Sequence, residues 1–146
     1  MAKPNDKISK ASSIAARGRV LLVEDDNAVR SLARRLLQGE GLTVIEAQTG
    51  EEGLARWRET TSRGEVIDVV VTDIVMPDMG GRELITHLRA GNPGLPVVYV
   101  SSYFADAVSS LDLSGPAELV EKPFTPATLT SAVHTVLGHT GEADRR

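Results

Sequence analysis

The sequence predicts an α/β domain, a five-stranded parallel sheet with helices packed on both faces. Short apolar runs and longer amphipathic stretches alternate five times along the chain. The apolar runs are nearly continuous, as expected of strands covered on both sides, where a half-exposed strand would alternate. The 146 residues are 41% hydrophobic and 25% charged, a globular composition in a length that buries about two thirds of its unfolded surface as one domain.

Residues 1–18 are rich in Ser, Ala and Lys without sustained periodicity and read as a flexible basic tail or linker. "RVLLVE" (19–24) is a buried strand ending in acids. In "DNAVRSLARRLLQGEG", Val29, Leu32, Ala33, Leu36 and Leu37 recur at helical spacing, and Gly39 or Gly41 stops the helix. "LTVIEA" (42–47) is the second strand. Thr49 and Glu52 form a capping box for a helix whose inner face includes Leu54 and Trp57. "VIDVVVTD" (66–73) is the third strand, and "GRELITHLRAG" (81–91) a helix with Leu84, Ile85 and Leu88 inward. "LPVVYVSS" (95–102) and "AELVEK" (117–122) are the fourth and fifth strands. The helix expected between them is weak, because Ser109, Ser110, Asp112 and Ser114 crowd a short span. Thr125 caps the last helix, Pro126 takes its first position, and Gly138 ends it, leaving residues 139–146 as a flexible tail.

The bulk numbers exclude several functions. There is no cysteine, hence no disulfide framework or thiolate chemistry. The net charge of -4 gives no nucleic-acid footprint, although Lys3, Lys7, Lys10, Arg17 and Arg19 face only Asp6 near the start. The beginning lacks the apolar core of a secretory signal, and no run approaches the roughly 20 apolar residues of a membrane span. A soluble cytoplasmic protein without membrane insertion is expected. His87, His134 and His139 are scattered and read as surface residues.

In a parallel sheet, ligands bind beyond the carboxyl ends of the strands. Those ends carry Glu24 and Asp25, then Asp73, then Ser101 and Ser102, then Lys122 and Pro123. A carboxylate such as Asp73 at the mouth of a strand built for a dry core is paired, binds a cation or reacts. Several carboxylates on one rim call for a cation, and hard oxygen ligands select Mg²⁺, Mn²⁺ or Ca²⁺. A metal, a lysine and a hydroxyl around one aspartate equip it for phosphoryl transfer, with Asp73 as nucleophile. The plainer readings are a helix-N-terminal acid cluster for Glu24, Asp25 and Asp26, favoured for Asp26 alone, and a structural ion pair for Asp73 with Lys122.

The pieces "LLVEDD", "VVVTDIVMPDMGG", "VVYVSSY" and "LVEKPF", in this order from about Arg19 to Gly138, resemble the receiver domain of two-component response regulators. "GRELITHLRAGNPGLPVVYVSSY" is most similar to receivers of hybrid sensor histidine kinases or stand-alone receivers. The resemblance implies a flavodoxin-like sheet of order 2-1-3-4-5 with about five helices, residues 19–138 forming the receiver. It implies that Asp73 is the phosphoacceptor, Ser101 the switch hydroxyl and Lys122 the lysine of the site. It further implies Mg²⁺ (or Mn²⁺) on Asp25, Asp73, the Val75 carbonyl and, through water, Glu24, and a cis Lys122-Pro123 peptide. The partners implied are a sensor histidine kinase or histidine phosphotransfer protein and a downstream protein, with the chain a monomer or weak dimer.

Two departures from the family pattern stand out. Leu119 stands where many receivers have an aromatic residue, and Ser102-Tyr103 follows Ser101 where a small residue and a variable one are expected. Leu119, Ser102, Tyr103 and Pro123 are therefore expected to modulate the site, Tyr103 by slowing attack of water. The alternative is a receiver-fold interaction module that works without phosphorylation. An aspartyl-phosphate phosphatase ranks lower, since Val75 cannot supply the second acid such enzymes use two residues after the nucleophile. A flavin-binding relative ranks lowest, since no phosphate-cradling loop follows the first strand. The protein is not expected to be an enzyme beyond catalysing its own phosphorylation and dephosphorylation.

Overall fold

The computed structural model describes residues 18–102, 111 and 115–145, with side chains described as far as residue 138. The basic tail, Tyr103 and nearly all of the expected weak helix between the fourth and fifth strands lie outside the described residues.

Five strands form one parallel sheet: β1 (Arg19–Val23), β2 (Thr43–Ala47), β3 (Val69–Asp73), β4 (Val97–Ser101) and β5 (Ala117–Glu121), in the order β2-β1-β3-β4-β5. Four helices are described: α1 (Asn27–Gly39), α2 (Gly50–Ser62), α3 (Gly81–Gly91) and α4 (Pro126–Arg145). Alternation along each strand sorts the core into two layers. Val20, Leu22, Val69, Val71, Val98 and Val100 face Ala33 and Leu37 of α1 and Leu129 and Val133 of α4. Leu21, Val23, Val70, Val97 and Tyr99 face Leu84, Ile85 and Leu88 of α3, with Leu54 and Trp57 of α2 at the margin. Every residue of β3 and β4 is buried, which explains the unbroken Val runs.

The end signals act as their chemistry predicts. Asp26 caps α1 by accepting the Val29 amide at 3.0 Å. Gly41 takes φ 89° just past the end of α1, and Leu42 N–H reaches back to the Leu37 carbonyl at 3.2 Å, so Gly41 rather than Gly39 turns the chain. Thr49 accepts the Glu52 amide at 3.0 Å, while the Glu52 carboxylate accepts the amide of Gln48, one residue outside the expected capping box, at 2.7 Å.

The other strands are one or two residues shorter at their ends than expected, and two boundaries differ by more. The third strand begins at Val69: Asp68 just before it donates its amide to the Arg19 carbonyl at 2.8 Å but meets the Arg19 amide with its side chain, also at 2.8 Å, and Val66 is 64% exposed. The last helix does not end at Gly138 but runs on to Arg145. Gly138 is exposed, keeps a negative φ and has open space where a Cβ would lie, so nothing there forces a stop. No described helix is long and apolar enough to cross a membrane.

Gly138→Ala is expected to raise stability by roughly 0.5–1 kcal/mol, because glycine is the poorer residue inside a helix. A loss in chemical denaturation would instead indicate a helix that ends there. Gly81→Ala is expected to cost on the order of 2–3 kcal/mol, since its Cβ would run into the Asp73 carbonyl.

Candidate functional site

The carboxyl ends of β1, β3, β4 and β5 meet at one rim. Asp73 is the last residue of β3, and the following amide of Ile74 donates to the Val100 carbonyl of β4 at 3.0 Å, which fixes the strand end. The chain then folds back tightly, with Gly81 N–H on the Ile74 carbonyl at 2.8 Å. Glu24 follows β1, its amide held by the Ala47 carbonyl of β2 at 3.1 Å. Lys122 follows β5, its amide held by the Ser101 carbonyl at 2.9 Å.

Lys122 Nζ lies 2.9 Å from Asp73 Oδ2 and 2.9 Å from Glu24 Oε1. The second oxygen of each carboxylate takes a backbone amide: Asp73 Oδ1 that of Val75 at 3.3 Å, Glu24 Oε2 that of Asp26 at 3.1 Å. Glu24 is 3% exposed and Asp73 7%, whereas Asp25 faces solvent. One oxygen from each of Glu24, Asp25 and Asp73 lies within 4.8 Å of the others. Three carboxylates against one ammonium leave negative charge uncompensated when all are ionised, and the donors are hard oxygens beside open water. This donor set fits a divalent cation such as Mg²⁺.

Ionisation follows from burial. Desolvation, helped by the charge of Asp73, raises the Glu24 pKa to about 7, against the pull of Lys122 and the Asp26 amide in the other direction. Desolvation alone would lower the Lys122 pKa, but hydrogen bonds and charge from Asp73 and Glu24 outweigh it and raise the value above that of a free lysine. Lys122 is therefore an ammonium at neutral pH.

The other expected positions sort as follows. Ser101 is buried at the end of β4, and Ser102 beside it is exposed. Val75 places its amide on Asp73, with its side chain 54% exposed. The Lys122-Pro123 peptide is cis. Leu119 is half-buried and stands directly across from the buried Tyr99 in the β4–β5 register. Asp26 is the cap of α1. Beside the site lies an open groove of about 360 Å³ lined by Asp26, Val29, Leu32, Ser102, Lys122, Pro123 and Phe124.

The family model described as the response regulator receiver domain matches residues 20–134. The chain belongs to this family.

Similar proteins agree. A sensor kinase CckA of Brucella abortus is 37% identical over 138 residues, which cover 94% of this chain and 14% of that protein. The regulatory protein KdpE of Escherichia coli is 34% identical over 120 residues, covering 81% of this chain and 50% of KdpE. The chain thus spans half or less of these relatives' length. Among solved structures, a CheY-like receiver from Methanospirillum hungatei superposes with a TM-score of 0.73 at 30% identity, covering 86% of this chain and 98% of that one. The receiver of the hybrid histidine kinase CckA gives 0.68 at 34% identity, covering 82% and 99%. The chain is a receiver domain of two-component signalling, with the flavodoxin-like strand order that the sequence resemblance implied.

Two residues of this receiver site escaped the sequence reading. Phe124 was quoted in a motif but given no place, and it lines the groove. Arg30 has no place in the sequence reading, yet its Nη1 donates to the Glu24 carbonyl at 2.8 Å.

A pH effect follows from Glu24. Without metal, folded Glu24 keeps its proton up to about pH 7, whereas the unfolded chain releases it near the ordinary glutamate value of 4.5. The folded state binds the extra proton across that window, so this stabilisation is complete below the unfolded value and is lost as pH rises through about 7. In metal-free buffer, wild-type stability from pH 5 to 8 is expected to fall by on the order of 1–2 kcal/mol relative to Glu24→Gln, measured by urea denaturation.

Proposed function

We propose that the chain accepts a phosphoryl group on Asp73 from a phosphohistidine of a sensor histidine kinase or histidine phosphotransfer protein, and signals through protein contacts. The observation that carries this reading is the Lys122 ammonium at 2.9 Å from both Asp73 and Glu24, with Asp25 beside them. A buried carboxylate joined to an ammonium, two further acids and open solvent is more than an ion pair needs. Family membership supports the same reading.

In the proposed step an oxygen of Asp73 bonds to phosphorus while the phosphorus–nitrogen bond of phosphohistidine breaks, and the departing imidazole takes up a proton. The Val75 amide holds Asp73 Oδ1 in place. Lys122 has three N–H donors, so it can keep Glu24 and turn another donor to a phosphoryl oxygen. Ser101, at the adjacent strand end, supplies the hydroxyl that reports the new group. Asp25, Asp73, Glu24 through water and the Val75 carbonyl would hold Mg²⁺ (or Mn²⁺). When bound, that ion neutralises charge on the transferring phosphoryl oxygens. The groove of Val29, Leu32, Pro123 and Phe124 adjoins Lys122 and gives the donor protein an apolar surface next to the acceptor. The protein in this reading catalyses only its own phosphorylation and dephosphorylation. A module that works without phosphorylation is the weaker reading, because it leaves the carboxylate cluster without a use.

Intact mass after incubation with acetyl phosphate and Mg²⁺ is expected to rise by one phosphoryl group, and Asp73→Asn or omission of the metal to abolish the gain. Lys122→Ala is expected to slow the reaction by about 10²–10³-fold. An equal gain in Asp73→Asn would place the acceptor elsewhere.

A further inference from the structure

We propose that Arg30 is a positioning residue that clamps the two peptide carbonyls flanking Asp25 and so fixes where the acid pair points. Arg30 reaches this loop from both of its ends. Its backbone amide donates to the Asp26 carbonyl at 2.8 Å, as the first bond of α1. Its guanidinium Nη1 donates to the Glu24 carbonyl at 2.8 Å. Asp25 is the residue between these two carbonyls.

The guanidinium is itself held. Nε donates to Glu46 Oε1 of β2 at 3.2 Å and Nη2 to Asn27 Oδ1 at 2.7 Å, and the side chain is only 12% exposed. A planar fork locked at three points transmits the position of β2 and α1 to the loop, which a flexible ammonium does less well. The Glu24 amide is already tied to Ala47 of β2. With Arg30 on its carbonyl, both backbone polar groups of Glu24 are fixed, and the side chain is directed at Lys122. Arg34 pairs with the same Glu46, through Oε2 at 3.4 Å, but has no bond to the loop, which makes it a natural control.

What the acids are for rests on the phosphoacceptor reading; how they are held does not. The test therefore carries two readouts on Arg30→Met, Arg30→Lys and Arg34→Met. The first is hydrogen exchange of the Asp26 amide, which bonds to Glu24 Oε2, against the Val71 amide as an internal standard. The second is Mn²⁺ affinity by electron paramagnetic resonance. Arg30→Met is expected to speed Asp26 exchange about tenfold with Val71 unchanged, and to raise the Mn²⁺ dissociation constant roughly tenfold. Arg30→Lys recovers part of both, and Arg34→Met changes neither. Unchanged Asp26 exchange in Arg30→Met, or an equal effect of Arg34→Met, overturns the proposal. If the wild type binds no Mn²⁺, the phosphoacceptor reading fails, and the exchange data alone decide the role of Arg30.

Discussion

Lys122 bridging Glu24 and Asp73 is the constraint on which the site depends. Two carboxylates sit nearly out of water at the end of a sheet whose interior is mostly valine and leucine. Removing a charge from water costs several kcal/mol, and an unpaired one would not be tolerated there. A single ammonium answers both, each at 2.9 Å. Its charge is carried to the rim by β5, while its partners arrive on β1 and β3, at a distance in sequence of 98 residues for Glu24 (122 − 24) and 49 for Asp73. Only the completed sheet brings them together, so the site and the fold form as one.

The same arrangement leaves the cluster poised. Burial raises the Glu24 pKa to about 7, and Lys122 offsets part of that rise by pairing with the carboxylate. Asp25 stays in solvent beside the two buried acids. Fixed backbone amides of Val75 and Asp26 occupy one oxygen of each buried acid, which limits how the carboxylates can turn. In the proposed phosphoacceptor role, this prior order means little rearrangement as charge develops on the phosphoryl oxygens.

Much of this was legible in the chain because the signals were local or positional. The valine runs of β3 and β4 announced strands buried on both faces, and a parallel sheet must place their carboxyl ends at one rim. Glu24, Asp25, Asp73, Ser101 and Lys122 could be listed from that rule alone. The end of the last helix was misjudged, because a glycine marks a stop only when it turns to positive φ, as Gly41 does and Gly138 does not. The start of β3 was misjudged because the exposed Val66 looked like strand, and the Asp68 side chain accepts the Arg19 amide where a carbonyl of a regular ladder would. Arg30 was invisible for a different reason. Its role comes from three-dimensional contacts to a carbonyl and to Glu46 on another element, and a helical arginine carries no sequence mark for that. Leu119 was noted as a departure, and its place opposite Tyr99 puts the aromatic ring on β4 at the level where the family pattern has it on β5.

The most direct test of the account is a crystal structure of the protein with Mn²⁺ and beryllofluoride, the manganese located by its anomalous scattering. The account predicts a fluoroberyllate on the Asp73 carboxylate contacted by Lys122, with manganese bound on the side of Glu24 and Asp25. An unmodified Asp73 still paired with Lys122, with manganese bound elsewhere, would contradict it.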